Sequence, residues 1–302
     1  MAQAKFVPIL TATTGLNNTL DPVRLEFDHK TGVTELSQAV NVNIDNSGRP
    51  SRRLGRTLKR AESSRCGFVH GEVCLFVAGT SLYQLYPDYS RTELRSGLTE
   101  GARMRYCPVA DRVYYTNGTE KGYIKKGASF AWTQGEYSVP FDSSRVLSDP
   151  PNGHLLGWFG GRMVVARASA LLASEPSFYG VFDLYRGFKL EAERITMLQP
   201  TPQGLWVGTT AKVLFYRGSK WEEVHREVKA DFGVLEGSDT WTAGEKLGLS
   251  GRTLLFTTPQ GICAGGEDGS LVNLTHNKLT FPSGKYASAT VAGDRYITLL
   301  EP

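Results

Sequence analysis

The chain has 302 residues, 40% of them hydrophobic, with 33 Gly, 13 Tyr, 14 Phe, 5 Trp and a formal net charge of +4. This mix suits many short strands joined by tight turns, and no run approaches the roughly 18 apolar residues of a membrane span. Four Cys without CxxC spacing (Cys66, Cys74, Cys107, Cys263) read as small buried hydrophobes, which argues against a metal site or a disulfide framework.

Taken in chain order, residues 1–38 show little periodicity and are expected to form an N-terminal arm ordered by packing on the main body or on a neighbouring subunit. The opening MAQAKFVPILTATTG is a poor signal peptide, so synthesis in the cytoplasm is expected. Val23 to Phe27 is a candidate short strand. Ala39 to Ile44 alternates as AVNVNI, Asp45-Asn46-Ser47-Gly48 is a turn signal, and Arg49 to Leu54 can return as the partner strand. From Arg49 the chain becomes strongly basic: Arg49, Arg52, Arg53, Arg56, Lys59, Arg60 and Arg65 face only Glu62. The net charge of this segment exceeds that of the whole chain, so the remainder is slightly acidic.

The residues around this hairpin resemble a passage near the N-termini of tailed-bacteriophage tail proteins, in which an A-x-N-V strand leads to D-x-x-G and then to R-x-R-x-G. The matching positions are Ala39, Asn41, Val42, Asp45, Gly48, Arg49, Arg52, Arg53 and Gly55, and the preceding GLNNTLDPVRL (Gly15 to Leu25) is similar to the openings of the same proteins. The closest class is the tail nozzle or tail tubular protein of short-tailed phages. The resemblance is specific over about twenty residues, and the large inserted domains of those nozzles have no counterpart in a chain of this length. It implies a structural protein of the virion tail, made in the host cytoplasm, assembling with other tail proteins as a homo-oligomeric ring with sixfold symmetry.

Beyond the hairpin, one pattern recurs: a short apolar run, a Gly-containing turn, a second run, a second turn. Gly204 to His225 (GLWVGTTAKVLFYRGSKWEEVH) is its clearest copy, and Trp221 to Val224 is predicted as its third strand. Divergent copies occupy Glu72 to Ser96, Asp111 to Thr133, Arg162 to Leu190 and Thr253 to Phe281, and Tyr286 to Leu299 stops after two strands. Such meanders bury their faces only against further copies, and radial repeats lose their open edges only in a closed ring. The predicted fold is all-β: a β-propeller of six blades, or five, over residues 39–302, its ring closed by pairing of the N- and C-terminal strands. Longer loops are placed near 168–183 and 229–244, where Phe178, Tyr179, Asp239 and Trp241 are candidate contacts on protruding segments.

Elements of catalysis are missing from the text of the chain. There is no Gly-x-Ser-x-Gly elbow, HExxH or phosphate-cradling GxxxxGK[ST], and the five His are scattered singly. Glu222 and Glu223 would point to opposite faces of a strand, and Gly265 to Gly269 reads as a turn in preference to a cation loop. No catalytic residue, metal or cofactor is expected. The basic segment carries the functional expectation: subunit pairing, or non-specific contact with DNA phosphate. A rival reading is a carbohydrate- or receptor-binding propeller using Trp132, Trp158 and Trp241 as stacking platforms.

Overall fold

The computed structural model describes residues 10–45, 47–55, 57–59, 61–134, 145–247, 251–284, 286–293 and 295–301. The described residues form an all-β molecule in which short strands, apolar in their centres, alternate with Gly-containing turns. A small N-terminal sheet comes first: β1 (Ala12–Leu16) pairs in parallel with β3 (Val33–Leu36), and β2 (Phe27–Asp28) adds to β3 antiparallel. The strand expected over Val23 to Phe27 is instead a 3-10 turn at Pro22–Arg24 that ends before β2, because Pro22 and the Asp21 cap favour a turn start.

The predicted hairpin follows as β4 (Val42–Ile44) and β5 (Pro50–Arg52), with Asn43 opposite Ser51. Asp45 holds its turn, since its carboxylate accepts from the Ser47 and Arg49 amides at 2.8 and 2.9 Å. The Thr13 amide donates to the Gly48 carbonyl, so β4–β5 is joined to the N-terminal sheet. Asn18 docks this module near the C-terminal end: its amide and Nδ2 donate to the Lys278 and Thr280 carbonyls, and its Oδ1 accepts from the Thr280 amide at 2.8 Å.

Five antiparallel meanders then succeed one another. The first is β6 (Ser64–His70), β7 (Val73–Ala78), β8 (Ser81–Leu85) and β9 (Arg91–Arg95). The second is β10 (Arg105–Val109), β11 (Arg112–Thr116), β12 (Lys121–Lys125) and β13 (Ala128–Phe130). The third comprises β14 (Leu155–Phe159), β15 (Arg162–Arg167), β16 (Ala170–Glu175) and β17 (Phe178–Phe182), with β18 (Phe188–Leu190) also pairing with β16. The fourth is β19 (Ile195–Thr201), β20 (Gly204–Thr209), β21 (Val213–Arg217) and β22 (His225–Ala230). The fifth is β23 (Thr240–Ala243), β24 (Arg252–Thr258), β25 (Gly261–Gly266) and β26 (Leu271–Asn273). A two-stranded sheet of β27 (Ala287–Ala292) and β28 (Arg295–Leu300) ends the chain.

Apolar side chains on both faces of these sheets need cover, and each sheet finds it on its neighbour in the chain. One core cluster joins the first and second meanders through Leu75, Leu82, Val113 and Tyr115. A second joins the second and third through Tyr114, Trp132, Met163 and Phe182. The third and fourth share Phe159, Leu171, Leu198 and Leu214, and the fourth and fifth share Trp206, Phe215, Leu254 and Phe256. The sheets therefore pack face to face in chain order.

Three local expectations are corrected. Trp221 to Val224 is not a strand: Trp221 turns into the core beside Leu214 and Tyr216, and β22 begins only at His225. Residues 168–183 are not a protruding loop but largely the paired strands β16 and β17. The stretch 229–244 does not protrude either, because Val234, Leu235, Glu236 and Ser238 are all buried. By contrast, residues 267–269 do form a turn, with Gly269 at φ +80°. The four Cys are free thiols, and burial raises Cys107 to about 12 and Cys263 to about 11.

Candidate functional site

Of the described cations of the basic segment, Arg49, Arg52, Arg53 and Lys59 are exposed and Arg65 is half-buried. Arg49 just before β5, Arg52 at its end and Arg53 after it stand in solvent and form no ion pair with any described residue. Glu62, the one acidic residue of the segment, is paired with Arg91 at 2.5 Å. Lys59 lies 5.4 Å from the centre of the Tyr89 ring, and Arg65 donates to the Gly79 carbonyl at 3.0 Å, so both are tied to the first meander. Arg56 and Arg60 lie outside the described residues. Apolar side chains are interleaved with the arginines: Leu54 is 85% exposed, Leu58 79% and Val40 71%. Asn41, Arg52, Arg53, Leu54 and Gly55 line an open groove of about 630 Å³. This surface therefore mixes cations that have no ion-pair partner among the described residues with exposed leucines.

The four candidate loop residues are placed elsewhere than expected. Phe178 and Tyr179 are half-buried on β17, where the Tyr179 carbonyl accepts from the Trp132 indole at 3.0 Å and its ring meets Tyr114 edge-on. Trp132 is itself fully buried, which removes it as a stacking platform; of the three tryptophans considered, Trp158 is the exposed one. Asp239 and Trp241 belong to a polar cluster inside the molecule. The Trp241 indole donates to Gln199 Oε1 at 2.8 Å, Gln199 Nε2 donates to Asp239 Oδ2 at 2.5 Å, and Asp239 Oδ1 faces Arg105 Nη2 at 3.9 Å.

This cluster gathers residues from strands remote in sequence. Arg105 opens β10, Gln199 lies on β19, and Asp239 immediately precedes β23, so the second, fourth and fifth meanders converge through their first strands. The Asp239 side chain is only 5% exposed, and its Oδ1, like Arg105 Nε and Nη2, is buried without a hydrogen-bond partner among the described residues. Nearby, Arg194 pairs with buried Glu236 at 3.2 Å. Arg103 donates to the Ala287 carbonyl and pairs with Glu301, tying the entry to β10 onto the last hairpin. Among the described residues, no group of three or more His, Cys, Asp and Glu side chains is disposed to hold a metal ion. The expectation for Asp239 and Trp241 failed because a Gly- and Ser-containing lapse in strand pattern reads as an exposed loop, whereas here it runs through the interior.

His154 precedes β14 at the same convergence, and its Nε2 lies 2.7 Å from the Ile195 carbonyl. Burial lowers its pKa, and Arg194 and Arg105 push the same way, against the Ile195 hydrogen bond and Glu236. The unfolded chain then takes up the proton first as pH falls. Stability from this residue is present above the ordinary value near 6.5 and is lost below it. Melting temperature should drop between about pH 7 and pH 5, and His154→Gln should shrink that drop. Melts of the two proteins at both pH values check this; parallel pH profiles would show that His154 is not a source.

No family model matches the chain, and no curated protein does. Solved structures similar to it include the extracellular domain of a two-component system from B. thetaiotaomicron, at 11% identity over 82% of this chain, with a TM-score of 0.46. The chain covers 31% of that protein. A gluconolactonase from Xanthomonas campestris aligns at 13% identity over 76% of this chain and 82% of its own, with a TM-score of 0.41. The WD40 β-propeller domain of Doa1 aligns at 8% identity over 76% and 73%, with a TM-score of 0.43.

Proposed function

We propose that this chain is a structural component of a bacteriophage virion tail, a propeller subunit that assembles into a ring, helps form the DNA conduit and attaches neighbouring tail proteins. The observation that carries the reading is the exposed hairpin of β4 and β5. It coincides with the residues resembling phage tail proteins, and it presents Arg49, Arg52 and Arg53 without an ion pair to any described residue, beside exposed Leu54 and Leu58. Covering such a surface with another subunit would neutralise the charges and bury the leucines together, so subunit contact ranks ahead of DNA contact.

The same hairpin bears on blade number. Five meanders and a two-stranded remainder leave the last unit two strands short, and β4–β5 has two strands. In the isolated chain the two hairpins are separate sheets. Closure of a six-bladed ring would bring them together, and the Asn18 bonds to Lys278 and Thr280 already hold the N-terminal module near the segment leading to β27. A ring of copies, sixfold as in the resembling proteins, would then enclose the conduit.

Changing Arg49, Arg52 and Arg53 together to Gln tests the reading. The isolated chain should melt almost as before, because exposed charges add little to folding. Virions should fail at tail assembly if the arginines join subunits, or eject DNA slowly and with altered salt dependence if they line the conduit. Fully infectious particles at low and high salt would overturn both roles.

A further inference from the structure

Glu236 is an acidic residue fixed in the interior with room beside it. It lies in the segment Gly233-Val234-Leu235-Glu236-Gly237, whose backbone is stitched to three sheets. The Val234 amide donates to Thr209 of β20, Leu235 to Thr257 of β24, and the Ala287 amide of β27 donates to the Glu236 carbonyl, all at 2.9–3.0 Å. Both flanking glycines permit the close approach: a Cβ at Gly233 would meet the Thr210 carbonyl oxygen at 2.1 Å, and one at Gly237 would meet that of Ala287 at 2.0 Å. The carboxylate, 6% exposed, is held through one oxygen by Arg194, and Oε1 takes no hydrogen bond from any described residue.

Beside it is a cavity of about 150 Å³ between the fourth and fifth meanders and the last hairpin. Arg194, Thr196, Glu236, Ser283, Pro259 and Tyr286 contribute to its wall. Thr196 is buried, and its hydroxyl has no hydrogen-bond partner among the described residues, so the wall contains a donor and acceptor that those residues leave unused. A buried hydroxyl without a partner is unfavourable unless something polar reaches it. Tyr286 is part-exposed at the rim, where the Arg103 guanidinium lies 5.1 Å from its ring centre.

We propose that this cavity binds a small neutral polyhydroxylated ring, a single sugar residue, with Glu236 accepting and Arg194 and Thr196 donating to its hydroxyls. The wall places a carboxylate and a guanidinium side by side, so a simple cation or anion satisfies one and opposes the other. Hydroxyl groups both donate and accept, and can serve the pair without breaking it. Pro259 and the Tyr286 ring offer apolar surface to the C–H face of a sugar. The site requires neither the tail reading nor ring closure, and it uses none of the three tryptophans considered earlier.

The test is saturation-transfer NMR and calorimetry on the full chain with free glucose, galactose, rhamnose and N-acetylglucosamine, and with glycine as a zwitterionic competitor. At least one sugar should bind, and Glu236→Gln should weaken it about tenfold or more, the effect of losing one charge-assisted hydrogen bond. Tyr286→Ala, on the exposed rim, should also weaken binding with little change in melting temperature, and it decides the matter if Glu236→Gln does not fold. Failure of all four sugars to bind, unchanged binding in Tyr286→Ala, or displacement of the sugar by glycine would overturn the proposal.

Discussion

Trp206→Ala should lower the free energy of unfolding by about 4 kcal/mol, about a quarter or more of what a domain usually has. Trp206 is fully buried on β20 and packs on Phe215 of its own sheet and Phe256 of the next, with ring centres 4.9 and 6.4 Å apart. Its indole donates to the Gly266 carbonyl at 2.9 Å, so truncation leaves a cavity and also strands an acceptor at the seam between the fourth and fifth meanders. Trp206→Phe keeps most of the volume and should lose only about 1–2 kcal/mol, chiefly from the missing donor. Urea unfolding of the three proteins measures both differences. A loss below about 1 kcal/mol for the alanine variant would mean that the two sheets do not share this core.

Trp206 also marks what can be read from residues alone. Leu205 to Val207 and Val213 to Tyr216 are apolar runs bounded by turn residues, and they became the central strands β20 and β21, buried on both faces. Outer strands carry less pattern. In His225 to Ala230 polar residues outnumber apolar ones, with Glu227 paired to Arg217 and Lys229 and Arg226 reaching Glu191, so only Val228 and Ala230 carry an apolar signal. Its neighbour Trp221 supplied a false strand signal, since an aromatic in a turn that folds inward resembles one in a strand.

The candidate sites divide by the same logic. The basic hairpin could be found because its residues are consecutive, and its turn is written locally in Asp45 and Gly48. Arg105, Gln199 and Asp239 are about 40 to 130 positions apart in the chain, and only the convergence of first strands brings them together. A trace of it was present in the text: two glycines bracketing Val-Leu-Glu at 233–237 signal a backbone pressed against its surroundings, and an acidic residue inside such a frame is unlike one in a solvated loop.

Arg226→Ala should destabilise the fold by roughly 3 kcal/mol. Glu191, with its side chain 2% exposed, accepts from Arg226 Nη2 at 2.8 Å and from the Tyr216 hydroxyl. Burial and the adjoining carboxylate raise the pKa of Tyr216, so that hydroxyl remains a donor. Removing Arg226 leaves a carboxylate in a dry site with one neutral partner; because Arg226 is itself 40% exposed, water can enter and hold the loss to the lower end of the range. Adding Glu191→Gln removes the stranded charge but preserves an acceptor for Tyr216, so the double variant should be more stable than Arg226→Ala alone. Urea unfolding of the three proteins checks this, and a double variant less stable than the single one would mean that Glu191 is as well solvated without Arg226 as with it.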